Sequence, residues 1–429
     1  MTTLTTSNVI QHPSELAEIP KRLRAHYSEF LDLGSTDISL ADSPTSAKRI
    51  LLTGHSHQAW PNAAKEGILA AFHDASLHVD DKWGAVFDCA EFVREEIASI
   101  THTDCGEIAL AQNTHELFTR FLSALPLKER PVIIATDGEF HSVYRQLCAA
   151  EQAGLLEVIW IKSDDCDLLA ERLSEALKQV KQRCAAVITS SVLFQSGAIV
   201  QNLAELAQDC LQYGARLFID AYHSFKVVPL TLDDFGEAKS ITYLSGGGYK
   251  YAQWGEGVCW LRVPNDDVIK PIFTGWFSDF AHLHQPRYNE QGLANPIAYG
   301  TRGAERFAGS TFDPSSIYRA ASVIRFFHEQ KLNIETLRAI SLHQTQLLIE
   351  GLSQVFPVIT PLSEQNRGGF VAFRVDHAQL WSEELRQYKV FTDARGSALR
   401  FGPAPYLLDR EIQEAIARTL TLHKERRSQ

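Results

Sequence analysis

The sequence predicts an α/β protein: a mainly parallel sheet covered by helices on both faces, followed by a smaller α+β unit. Three observations predict it. From about residue 49 to 314, short apolar runs rich in β-branched residues alternate with amphipathic stretches of helical period. Runs such as PVIIAT and LEVIWI are apolar throughout, the pattern of strands buried on both faces. After about Pro314 the order changes to two long helical stretches and then to strands mixed with helices.

Taken in order, residues 1–48 are polar and weakly patterned and are expected to form an arm with a short helix near Ser14 to Asp32. Phe87 to Ile100 reads as an amphipathic helix, and HELFTRFLSAL as another, with Thr114 as its N-cap. PVIIAT and LEVIWI are strands, Leu168 to Val180 a helix, AAVITSSVLF a strand, Asn202 to Tyr213 a helix, and RLFID, ITYLS and VCWLRV further strands. Residues 49–314 therefore read as a large domain. Residues 315–429 read as a small one: helices Ser315 to His328 and Ile334 to Leu352, strands VFPVIT and GFVAFRV, helix WSEELRQY, strand ALRFG, and a last helix from Asp409.

The bulk numbers exclude several classes. A chain of 429 residues with 45% hydrophobic and 22% charged residues has ordinary globular composition and ample core. A net charge of −11 argues against nucleic acid as a partner, since such binders carry basic patches. No apolar run reaches the roughly 18 to 20 residues that span a bilayer, and MTTLTTSNVIQHPSELAEIP lacks the basic and apolar regions of a signal peptide. Seven cysteines without CxxC spacing suggest reduced thiols and a cytoplasmic location. Sixteen histidines include the pair His55 and His57, but neither HExxH nor a zinc-type Cys/His spacing occurs, so no metal site is expected.

The chemistry concentrates between Leu217 and Lys250. LFIDAYHSF ends an apolar strand on Asp220, and 30 positions later (250 − 220) Lys250 follows Gly246, Gly247 and Gly248. An acid that keeps a pyridine nitrogen protonated and a lysine that carries an aldehyde as a Schiff base are the pair that pyridoxal 5′-phosphate (PLP) chemistry requires. An Asp at an apolar strand end is costly unless paired, and a pyridinium N–H is a suitable partner. Tyr249 and Tyr251 flank Lys250 and would keep its amine partly desolvated, lowering its pKa. The competing readings are a turn-capping Asp and a solvated loop Lys. His223 is placed to orient the carboxylate or approach the ring. Asn113-Thr114-His115, after the apolar IALA, provides a helix start suited to a phosphate, and plain capping coexists with that role. Phe140, after strand PVIIAT, is placed to stack on the ring.

IDAYHSF, the lysine in YKY, FTGWF, RFAGST and LRFGPAPY together resemble kynureninase, of the class V aminotransferase group of fold type I PLP enzymes. The resemblance runs from about Leu52 to the C-terminus. It implies a seven-stranded, mainly parallel sheet in the large domain, and a homodimer with shared active sites. It further implies that Asn113 and Thr114 form the phosphate-binding turn and that Phe140 is the ring-stacking aromatic. Asp220 and His223 match the acid and histidine beside the ring, Tyr249 the phosphate-binding proton relay, and Lys250 the Schiff-base lysine. Trp276 and Thr311 match residues that reach the phosphate from the partner subunit, and Arg400 the clamp for the substrate α-carboxylate, a role suited to a bidentate guanidinium.

Departures from the family pattern lie near the substrate. GHSHQAWP replaces a GNSLG-like motif, keeping Ser56 and placing His55 and His57 at the expected substrate pocket with Trp60 and residues near Phe277. Val143 stands where the family often has an Asp, and His78 corresponds loosely to a substrate-contacting histidine. The expected activity is a hydrolytic Cβ–Cγ cleavage of an amino acid, giving alanine and an aromatic or related acid. The alternatives are transamination, β-elimination or epimerisation of a different amino acid, since a scaffold does not fix its chemistry. A non-catalytic PLP-binding module is a third. Cysteine desulfuration ranks low because no cysteine follows Cys259.

Overall fold

The computed structural model describes residues 13–31 and 48–428. The expected N-terminal helix spans Pro13–Arg24 (α1) and continues through two short turns to Leu31. The rest of the expected arm, residues 1–12 and 32–47, lies outside the described residues, as does residue 429.

Seven strands form the central sheet: β1 Ile108–Ala111, β2 Val132–Thr136, β3 Glu157–Ile161, β4 Cys184–Ser190, β5 Arg216–Asp220, β6 Thr242–Gly247 and β7 Cys259–Arg262. Their spatial order is β1-β7-β6-β5-β4-β2-β3. Pairs from β6 through β3 are parallel, and β7 runs antiparallel to both β6 and β1. The sequence explains why both faces are covered. In β2, Val132 and Ile134 join one buried cluster while Ile133 and Ala135 join the other. In β5, Leu217 and Ile219 face the first cluster and Phe218 the second. A period of two with apolar residues on both parities needs helices on both sides.

Helices α2 Ala63–His78, α3 Trp83–Thr101, α4 Thr114–Ala124, α5 His141–Gln152, α6 Leu169–Val180 and α7 Leu203–Tyr213 supply most of that cover. Leu117, Phe118 and Phe121 of α4 and Leu147 of α5 fill the second cluster. Val93 and Ile97 of α3, Leu173 and Leu177 of α6 and Leu206 of α7 fill the first. Helix α4 begins on Thr114, but the cap is Asn113, not Thr114: Asn113 is extended and its side-chain oxygen accepts from Glu116 N at 3.0 Å. An amide reaches the third N–H of the helix as readily as a hydroxyl does.

The remaining elements are α8 Ser315–Glu329, α9 Ile334–Leu352, β8 Val371–Arg374, α10 Ala378–Gln387, β9 Asp393–Arg395, β10 Ala398–Phe401 and α11 Asp409–Ser428. The strands form an antiparallel sheet in the order β9-β10-β8. The expected strand VFPVIT is absent. Pro357 has no N–H to donate to a ladder, Val355 and Phe356 close the end of α9 through Leu352 O, and only an isolated bridge, Val358 to Phe373, remains. Ile50–Leu51 pairs in parallel with Val390–Phe391, and Thr53 bridges Gly402. This ladder carries the segment GHSH beside the LRFG strand and so brings two distant motifs together.

Candidate active site

The parallel register sets Ser190, Asp220 and Ser245 side by side at the carboxyl ends of β4, β5 and β6. Ligands of open α/β sheets bind at that edge. A cavity of about 220 Å³ opens there, lined by Asn113, Thr114, Phe140, Asp220, His223, Tyr249 and Lys250 among others. Seven of the residues expected from sequence therefore line one cavity. The N-terminus of α4 meets the same cavity through Asn113, Thr114 and His115.

Asp220 is buried, and one carboxylate oxygen accepts from Tyr222 N at 2.8 Å. Burial raises its pKa, against that hydrogen bond and the charge of Lys250. Lys250 is also buried, with Nζ 2.8 Å from His223 Nε2. Burial lowers its pKa to about 7, with Asp220 opposing the shift and Arg400 adding to it. Burial and the neighbouring Lys250 push His223 far down, so its imidazole is neutral. The Lys250 amine lies 5.7, 5.2 and 5.4 Å from the rings of Phe140, Tyr222 and Tyr249. That aromatic cage is what removes water from it. Tyr249 is pushed up to about 12, chiefly by burial, and keeps its phenolic proton.

The glycines before Lys250 act through space rather than through a turn. Gly246 and Gly247 lie within β6. A Cβ on Gly247 would stand 2.3 Å from Tyr222 Oη, so only glycine lets the Tyr222 ring cross the strand end.

Three residues that sequence reasoning passed over complete the site. Glu139 is buried beside Phe140 and accepts from Thr136 Oγ1 at 2.5 Å, Ser190 N at 3.0 Å and Ser190 Oγ at 2.7 Å. Burial raises its pKa to about 7, against these hydrogen bonds. Tyr222 supplies a wall of the cage. Asp393 receives the Arg400 guanidinium. For Glu139 the sequence signal was an acid at the turn that follows a fully apolar strand.

The residues expected at the substrate are distributed differently. His55 is fully buried and bonds Asp393 rather than lining the cavity, and burial lowers its pKa to about 4. His57 is exposed and stacks on Tyr249 with ring centres 5.0 Å apart. Ser56 Oγ lies 3.1 Å from His57 Nδ1. Trp60 packs under the Arg319 guanidinium at 4.5 Å, and His78 is exposed at the end of α2. Val143 is buried and lines the cavity.

Trp276 and Thr311 do not line the 220 Å³ cavity of their own chain. Thr311 lines an adjoining cavity of about 470 Å³, which shares Gln112 and Gly257 with the first. Trp276 is 48% exposed and packs on Phe277 and Phe280. Among the described residues no cluster of His, Cys, Asp or Glu is arranged to hold a metal ion, and no helix is long and apolar enough to cross a membrane.

The donor set suits PLP. A buried carboxylate and a desolvated amine face one cavity, a half-buried aromatic flanks them, and a helix N-terminus stands at the wall where a phosphate is favoured. Comparison with known proteins agrees. Residues 337–419 match the kynureninase C-terminal domain family. The "uncharacterized aminotransferase YcbU" of Bacillus subtilis is 24% identical over 388 residues, covering 89% of this chain and 97% of that one. A kynureninase of Xanthomonas oryzae pv. oryzae is 24% identical over 337 residues, covering 73% of this chain and 76% of that one. Among solved structures, an apo cysteine desulfurase from Thermococcus onnurineus superposes with a TM-score of 0.74 at 16% identity, covering 95% of this chain and 98% of that one. A C-DES variant with glycine linked to its PLP cofactor gives 0.73 at 18% identity, covering 90% and 98%. The fold is therefore that of the fold type I PLP-dependent enzymes.

Proposed function

We propose that this kynureninase-like chain with the class V aminotransferase fold hydrolyses the Cβ–Cγ bond of an amino acid bearing a γ-carbonyl, releasing alanine and an aromatic or related acid. It is a PLP-dependent enzyme acting on amino acids. When bound, PLP supplies an aldehyde for an amine and a protonated ring that withdraws electrons from Cα. Asp220 carries the charge that keeps the ring nitrogen protonated, and Lys250 holds the cofactor through Nζ. Asn113 and Thr114 would hold the phosphate at the start of α4, and Phe140 would stack on the ring. With PLP in place, Lys250 Nζ would be the base for the proton on the substrate Cα. Its pKa of about 7 leaves it neutral in half the molecules at pH 7. Tyr249 Oη, protonated up to about pH 12, is the proton donor beside it. Arg400 binds the α-carboxylate.

The observation that carries the reading is the buried Lys250 amine sharing one cavity with the buried Asp220 carboxylate. The match of residues 337–419 to the kynureninase C-terminal domain supports the hydrolytic chemistry in particular. We further propose a homodimer in which Trp276 and Thr311 serve the partner's phosphate. Both lie away from their own Lys250 and are exposed, as are the apolar side chains of Ile272, Phe273 and Leu293 in the same stretch. Holoenzyme given L-kynurenine should release anthranilate and alanine in equal amounts, read by fluorescence and amino acid analysis. Absence of anthranilate overturns the hydrolase reading. A second reading, transamination, is favoured by the longer match to the Bacillus subtilis protein. It predicts a keto acid and a cofactor left in its pyridoxamine form.

A further inference from the structure

Arg400 enters the account as the carboxylate clamp, yet its fork is already engaged. Strands β9 and β10 pair Asp393 directly with Arg400. Arg400 Nε and Nη2 donate to the two oxygens of Asp393 at 2.8 and 2.5 Å. Nη1 donates to the Phe194 carbonyl at 2.5 Å. A guanidinium has five N–H donors, so two remain, both on the terminal nitrogens.

Asp393 is itself held from behind. His55 Nε2 lies 2.8 Å from Asp393 Oδ1. The His55 ring is fully buried and stacks on Phe370 with centres 4.6 Å apart and planes at 28°. The same Phe370 ring carries the Arg400 guanidinium at 5.5 Å. His55 Nδ1 has no partner among the described residues, which leaves Nε2 as the protonated nitrogen that donates to Asp393. Burial opposes ionisation of Asp393, but the hydrogen bond from His55 and the bidentate Arg400 hold its carboxyl well below the usual carboxylate range. The Arg400 charge in turn lowers the pKa of both Lys250 and His223, so it acts directly on the reactive amine.

We propose that Asp393, seated by His55, is a positioning residue that orients the Arg400 guanidinium so that the substrate carboxylate meets only its two remaining N–H groups. This rests on the reading of Arg400 as the carboxylate partner. The opposing arrangement makes Asp393 a stand-in that the substrate displaces. Against that, Asp393 sits in a paired strand and is anchored by a fully buried imidazole as well as by Arg400.

The test compares L-alanine with ethylamine, the same molecule without its carboxylate, by titrating the visible absorbance of holoenzyme. Asp393→Asn keeps the shape and removes the charge. It should weaken L-alanine by on the order of tenfold and leave ethylamine unchanged. His55→Phe, which keeps the stack but loses the donor, should move in the same direction, and His55→Gln, which restores an N–H, should recover most of the affinity. Tighter L-alanine binding in Asp393→Asn overturns the proposal in favour of displacement. Equal weakening of both ligands overturns it in favour of a purely structural role. Arg400→Gln is the separate control: if it spares L-alanine, the assignment of Arg400 fails first and the positioning role falls with it.

Discussion

The ionisation of Lys250 yields the sharpest prediction. An unperturbed lysine titrates near 10.4, so roughly one amine in 2500 is neutral at pH 7. Burial brings Lys250 to about 7, so half of its amines are neutral there. Only the neutral amine attacks an aldehyde. Covalent capture of PLP by the apoprotein, followed by stopped-flow absorbance, should therefore rise with pH to half its maximum near pH 7 and be flat above about pH 8.5. Two substitutions should move that midpoint in opposite directions. The Asp220 charge raises the Lys250 pKa, so Asp220→Asn should lower the midpoint; the Arg400 charge lowers it, so Arg400→Gln should raise it. A midpoint near 10, or shifts of the same sign in both variants, would refute the claim that burial and these two charges set the reactivity of the amine.

Other consequences are structural. Gly247→Ala should destabilise the protein by about 1–3 kcal/mol in denaturant titrations, because the new Cβ would meet the Tyr222 ring. Gly84→Ala, on α3 with open space around it, should instead stabilise by up to about 1 kcal/mol. Asn113→Ala should cost about 1 kcal/mol through loss of the α4 cap and also weaken PLP retention on dialysis, whereas a capping role alone would leave retention intact. Light scattering of holoenzyme should give a dimer and Trp276→Glu a monomer; a wild-type monomer would remove the roles given to Trp276 and Thr311.

Much of the fold was legible because burial on both faces of the sheet leaves a clear trace: PVIIAT and AAVITS carry apolar residues on both parities, as does the Leu217-Phe218-Ile219 centre of RLFID, and each run forms a strand. VFPVIT carried the same apolar signal but fails at Pro357, where the missing donor outweighs composition. At the site, Asp220 and Lys250 were readable because their residue types and separation have few other uses. Asp393 was not read, although a clue was present: Gly396-Ser397 is a two-residue hairpin turn with Gly396 at φ 56°, and counting outward from it sets Asp393 opposite Arg400. His55 was legible as unusual but not as buried, because its place depends on the pairing of Ile50–Leu51 with Val390–Phe391, a contact across most of the chain.

One amine, that of Lys250, is proposed to bond the cofactor. Reduction of the PLP-loaded protein with borohydride, followed by proteolysis and mass spectrometry, tests it directly. A single phosphopyridoxyl adduct on Lys250, and none in Lys250→Ala, is expected. An adduct on another lysine, or no adduct in protein saturated with PLP, would contradict it.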